Sequence, residues 1–128
     1  MKRVASAAPT QRQLRVSEEI RHVLAGLFGR KEFRDPDLAE AEITVTEVRI
    51  GPDLKHATVF VARLGRTDDE LLLPALRRAA AYMRGRIAHD LRLRHAPELH
   101  FQPDVALEEA ARINRLLHSP DVARDLDE

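Results

Sequence analysis

The hydrophobic period of this chain switches repeatedly between that of a helix and that of a strand, which confines it to a mixed α and β fold. From Val16 the apolar residues fall at Val16, Ile20, Val23, Leu24, Leu27 and Phe28. That spacing marks one helix face, so a first helix should bury this stripe and end near Phe33, ahead of Asp35-Pro36. Between 41 and 64 the period drops to two. Ile43 and Val45 alternate with Thr44 and Thr46, and Val48 and Ile50 continue in the opposite phase, which predicts a strand with a bulge or twist near Glu47. Gly51-Pro52-Asp53 marks a turn. Ala57 to Leu64 then carries apolar groups on both faces, as the well-buried second strand of a hairpin does.

Helical spacing returns with Leu72, Leu76, Ala79, Met83, Ile87 and Leu91, behind a capping-box pair, Thr67 and Glu70. Pro74 has no amide proton to donate, so either the first turn is irregular or the regular helix starts a residue or two before it. Gly85 weakens one long helix by roughly 1 kcal/mol relative to alanine, and two consecutive helices fit the pattern as well as one. Pro97 ends the run. Leu99, Phe101 and Val105 alternate with His100, Gln102 and Asp104 as a third strand, in which Pro103 points to a sheet edge or a bulge. A last helix, roughly Leu107 to Leu117, places Ala110, Ile113, Leu116 and Leu117 on one face. Three short strands cannot bury a core alone. The predicted fold is therefore α+β, a three-stranded sheet with helices packed on one face, in the order αββααβ with an additional C-terminal helix. The same order of elements belongs to the type II KH fold.

A chain of 128 residues is the size of one domain. Its expected extent is 12–118, between a flexible N-terminal arm at 1–11 and an acidic C-terminal tail at 119–128. The absence of cysteine excludes disulfides, thiolate metal sites and cysteine nucleophiles. No apolar run has the length of a signal peptide or a membrane span, so the protein is expected to stay in the cytoplasm, away from membranes.

The net charge is zero, but its distribution is uneven. Lys2, Arg3, Arg12 and Arg15 meet no acid in the first fifteen residues, and the tail is acidic. Between 77 and 94, Arg77, Arg78, Arg84, Arg86, Arg92 and Arg94 stand against Asp90 alone. On an uninterrupted helix Arg77, Arg78, Arg84 and Arg92 lie opposite Leu72, Leu76, Met83 and Ile87, a basic face with an apolar back. Arginine suits phosphate because its planar fork donates paired hydrogen bonds and never loses its charge. A solvated helix face is the equally good reading of the charge alone. Lys55 and His56 at the hairpin turn are further candidates for phosphate contact.

Several literal motifs carry no chemistry. Gly26-Leu27-Phe28-Gly29 matches the G-x-x-G of a KH loop but precedes every strand and holds Leu27 and Phe28 on the buried stripe. No H-E-x-x-H is present, and His89, His95 and His100 do not share a helical turn, so neither a metal nor a cofactor is expected. Ser17 and Ser119 read as cap or turn residues, and no nucleophile elbow or phosphate loop occurs. Phe28, Phe60 and Phe101 belong to apolar patterns and should be core, which leaves no aromatic platform for bases.

Read in order, Arg34-Asp35-Pro36-Asp37-Leu38, Thr44-Val45-Thr46-Glu47-Val48, Pro52-Asp53-Leu54-Lys55-His56-Ala57-Thr58-Val59-Phe60-Val61 and Leu91-Arg92-Leu93-Arg94-His95-Ala96-Pro97-Glu98-Leu99-His100-Phe101 resemble the ribosome-binding factor A family. The resemblance runs from about Arg15 to Leu117. It implies a KH-like domain without catalytic activity that binds the free 30S subunit and its 16S rRNA. It also implies help in late maturation, including processing of the 16S precursor at its 5′ end. The family's interhelical Ala-x-Gly kink falls on Ala79-Ala80-Ala81, where Ala81 replaces the glycine, so the kink is expected to be milder or displaced toward Gly85. The expected state is a monomer. The alternatives are a protein-interaction domain, monomeric or dimeric, using the apolar helical stripe, and a small hydrolase with no recognisable site.

Overall fold

The computed structural model describes residues 8–39, 41–63 and 69–118. Helix α1 (Gln11–Gly29) opens on a reciprocal cap. The Gln13 amide donates to the Thr10 hydroxyl at 3.1 Å, and the Thr10 amide donates to the Gln13 side chain at 2.9 Å. The helix stops short of Phe33 because Lys31 turns left-handed at φ 54. That turn lets the Lys31 amide reach the Phe28 carbonyl at 3.2 Å and the Glu32 amide reach that of Leu27 at 3.1 Å, closing a Schellman motif. Phe33 folds back and stacks on Phe28, ring centroids 5.0 Å apart. Ser17 lies buried inside this helix, where it caps nothing. One short turn, α2 (Pro36–Ala39), leads to the sheet.

Strands β1 (Ile43–Ile50) and β2 (His56–Arg63) form the expected hairpin. The register steps between Val45 opposite Val61 and Glu47 opposite Phe60, which leaves Thr46 as the extra residue of a bulge. The phase of buried residues switches there, from Val45 to Val48 and Ile50. Strand β3 (Glu98–Pro103) joins β2 in parallel, Ala57 opposite Leu99 and Val59 opposite Phe101, and forms an edge of the sheet β1-β2-β3. Val105 does not belong to this strand. Asp104 accepts the Leu107 amide at 3.0 Å and the Thr46 hydroxyl at 2.5 Å, so the chain turns there into α5 (Val105–Leu117). These bonds, that from Thr46 first, hold the Asp104 carboxyl below the ordinary aspartate value.

The crossover between β2 and β3 is the pair α3 (Asp69–Arg78) and α4 (Ala80–Asp90), broken at Ala79 with φ −89 and ψ 0. Gly85 lies inside α4, so the break is not displaced toward it. Pro74 sits in the interior of α3 rather than near its start. It is exposed, and Leu72, Ala75 and Leu76 around it are buried, which offsets the hydrogen bond it omits. The Thr67 cap lies outside the described residues. Helix α4 closes like α1, with Arg92 at φ 54 and the Leu93 amide on the Ala88 carbonyl at 2.9 Å.

The core lies between the sheet and α1, α3 and α4. Ile20, Leu24, Leu27, Leu72, Leu76, Met83 and Ile87 cover Val45, Val59, Val61, Leu99 and Phe101. Each fully buried aliphatic side chain contributes about 1.5–3 kcal/mol relative to exposure. Phe60, expected in this core, is only partly buried on the other face of the sheet, with the Arg49 guanidinium 5.1 Å from its ring centroid. Helix α5 touches β2 but leaves Ile113, Leu116 and Leu117 exposed. No helix among the described residues is long and apolar enough to cross a membrane.

Candidate nucleic-acid interface

The break at Ala79 divides the arginines of α3 and α4 between two flanks. On the flank facing β3, Arg77, Ala80, Ala81 and Arg84 line a groove of about 470 Å³ against Glu98 to Phe101. The small alanine side chains keep it open. Arg84 donates from Nε to the Pro97 carbonyl and from Nη2 to the Ala96 carbonyl, both at 3.1 Å. These acceptors are neutral, so the charge of Arg84 meets no acid. Arg77 has no hydrogen-bond or ion-pair partner among the described residues, and neither do the exposed side chains of Arg92, Arg94 and Lys55.

On the flank facing α1 and α2, every arginine of the helix pair is held by acids. Arg78 donates to Asp35 and to Asp37, each at 2.9 Å. Arg86 reaches Glu32 at 3.1 Å and Asp90 at 3.9 Å. The Arg78 hydrogen bond lowers the Asp35 carboxyl below its ordinary range, and Arg30, followed by Arg86, does the same to Glu32. The stretch that holds Asp90 as its one acid along the sequence is therefore partly neutralised by the α1–β1 connection.

A second cavity, of about 580 Å³, opens beside the break and is lined by Glu32, Phe33, Arg34, Asp35, Arg78, Ala79 and Tyr82. Tyr82 is 44% exposed, with its ring edge-on to Phe33 at 5.9 Å. Sequence reasoning passed over this residue. Its only signal is a lone tyrosine one turn beyond Ala79, among arginines. A polar-tipped ring at the mouth of a cavity is suited to contact a planar ligand.

His56 stands apart from the helical arginines. It lies on the outer face of the sheet, its ring centroid 5.3 Å from that of His100. Gly26 to Gly29 ends α1, with Leu27 and Phe28 buried as their pattern indicates. The stripe Leu72, Leu76, Met83 and Ile87 is also wholly buried, so it offers no surface to a protein partner.

A model of the family "Ribosome-binding factor A" matches residues 12–117. The chain is 52% identical over 119 residues to ribosome-binding factor A of Paramagnetospirillum magneticum, covering 93% of this chain and 84% of that one. Its fold is similar to the crystal structure of ribosome-binding factor A from Thermus thermophilus, with a TM-score of 0.59 and 28% identity over 71% of this chain and 94% of the other. A homology model of the Thermus thermophilus factor, fitted into the cryo-EM map of a 30S complex, is similar at TM-score 0.55 and 26% identity, over 67% of this chain and 88% of the other.

Proposed function

The chain belongs to the ribosome-binding factor A family, and on that premise we propose that it is a non-catalytic ribosome assembly factor of the cytoplasm. It binds the free 30S subunit through 16S rRNA and assists late maturation, including processing of the 16S precursor at its 5′ end. The observation that carries this reading is the division of the arginines. Among the described residues Arg77, Arg84, Arg92 and Arg94 have no ion-pair partner, and Arg77 and Arg84 line a groove with Ala80 and Ala81. Guanidinium groups without acid partners bind phosphate by releasing condensed counterions. Lys55 extends the same charge to the hairpin turn. Arg78 and Arg86 then serve to fix the helix pair against α1 and α2.

Of the groove's two rings Phe101 is buried and only His100 is exposed, so recognition there rests chiefly on the RNA backbone and its shape. Tyr82 on the opposite flank adds one surface for stacking. Sedimentation of the purified chain with 30S subunits through a sucrose gradient tests the reading. Association with free 30S particles and little with complete ribosomes is expected. Equal recovery with both, or with neither, would refute it.

A further inference from the structure

We propose that the outer face of the sheet binds a single divalent transition-metal ion, Zn²⁺ fitting best, through His56, Glu98 and His100. The parallel register places His56 of β2 opposite Glu98 of β3, and Thr58 opposite His100. Residues 98 and 100 are two apart on one strand, so they share a face, and the pairing brings His56 onto the same face. His56 Nδ1 and His100 Nε2 are 3.1 Å apart, and a Glu98 carboxylate oxygen lies 3.7 Å from His56 Nδ1. One ligand atom from each of the three falls within 4.8 Å of the others.

Those separations have the size that a tetrahedral ion demands. With metal–ligand bonds of about 2.0–2.1 Å, adjacent ligand atoms of a zinc site stand about 3.3–3.4 Å apart. The two distances from His56 bracket that edge and the third separation is within 4.8 Å, so side-chain rotations bring the three atoms around one centre. Two imidazoles and a carboxylate form a donor set that Zn²⁺ accepts, with water in the fourth, open position. All three side chains are exposed, so no packing opposes the rotation. Their backbones are already fixed. The Glu98 amide donates to the Lys55 carbonyl at 2.8 Å, and Ala57, Leu99 and Phe101 anchor both strands in the core. Binding orders only side chains, which limits its entropic cost. The site lies at the rim of the groove that Arg77 and Arg84 line, since Glu98 and His100 border both, but metal binding needs no RNA.

Titration of the full chain with Zn²⁺ by calorimetry, and with Co²⁺ followed by its visible d–d absorption, tests the site. One equivalent should bind, with the intense bands of a tetrahedral Co²⁺ centre. His56→Ala and His100→Ala should each weaken binding by at least the roughly 10- to 100-fold that loss of a mere outer-shell partner costs. Glu98→Gln should weaken it less and shift the Co²⁺ spectrum. Zn²⁺ should raise the thermal midpoint of the unsubstituted protein but not of His100→Ala. His89→Ala and His95→Ala should bind as the parent does. Circular dichroism verifies the fold of each variant, and His56→Gln with His100→Gln repeats the test with side chains of closer size. The proposal is overturned by the absence of saturable one-equivalent binding. It is equally overturned by unchanged affinity in the His56→Ala, His100→Ala double variant, or by loss only when His89 or His95 is replaced.

Discussion

The two flanks of the kinked helix pair use the same residue type for opposite ends. Toward α1 and α2, Arg78 and Arg86 are consumed by Asp35, Asp37, Glu32 and Asp90. Toward β3, Arg77 meets no acid among the described residues, and Arg84 donates to the carbonyl groups of the chain leading into β3. A guanidinium with a carboxylate partner has much of its charge offset and some of its donors occupied before a phosphate arrives, whereas one bound to carbonyls retains its full charge. Proximity along a helix therefore says little about availability. What matters is which neighbouring element supplies the counter-charge.

The largest effect should come from reversing the charges that have no acid partner. Arg77→Glu, Arg92→Glu and Arg94→Glu together should weaken association with the 30S subunit by about 100-fold or more at moderate salt. Circular dichroism and thermal midpoint should stay near those of the parent, since these side chains are exposed and unpartnered. Arg78→Glu should do the reverse, lowering the midpoint by placing like charge beside Asp35 and Asp37 while costing little binding. If both variants lose binding equally, the distinction between the flanks fails.

A sharper version uses Arg92, whose left-handed backbone disfavours any residue but glycine. Arg92→Gly should raise stability by about 1 kcal/mol in denaturant titration, yet reduce the salt slope of binding by about 0.7 for single-stranded contact or about 0.9 for a duplex. Lys31→Gly relieves the same strain at the end of α1. It should raise stability similarly without changing the salt slope. A change of slope in the Lys31 variant would show that the binding surface wraps onto the other flank.

A smaller effect should follow from releasing Arg78. With Asp35→Asn and Asp37→Asn its charge becomes available, and binding should tighten by a few fold, with a slope steeper by up to about 0.9. Unchanged binding would place Arg78 out of reach of RNA whatever its partners. The smallest effect concerns acid. The Asp35 carboxyl titrates below its ordinary value in the folded state, so its contribution is complete above the unfolded aspartate pKa and is lost as pH falls through the folded one. Thermal midpoints measured from pH 6 downward should therefore fall less steeply in Asp35→Asn than in the parent below about pH 4.

Local periodicity exposed most of the fold because each element carries its own signal. The α1 stripe, the bulge at Thr46 and the buried second strand were readable from spacing within a few residues. The misjudged boundaries were set by residues without the usual signature. Lys31 and Arg92 occupy positions where glycine is the expected sign of a helix end, and Asp104 caps a helix although it continues a strand-like alternation. The site was legible in its residue types and not in its pairings. Asp35 and Arg78 are separated by 43 residues, Glu32 and Arg86 by 54, so no window of charge could show that these arginines are engaged. The His56–His100 contact, 44 residues apart, was invisible for the same reason, since helical spacing was the wrong ruler for a cross-strand pair.

The parallel pairing of β2 with β3 has a kinetic meaning as well as a geometric one. Antiparallel β1 and β2 can zip from their turn within microseconds, but β3 can dock only after α3 and α4 have bridged the loop between the strands. Closing that long loop is an entropic cost met before any β3 contact is gained. The edge strand and the helix it launches should thus assemble last and open first. In native-state hydrogen exchange, the amides of Leu99 and Phe101 should lose protection at a lower free energy than those of Val59 and Val61, one strand away in the same sheet.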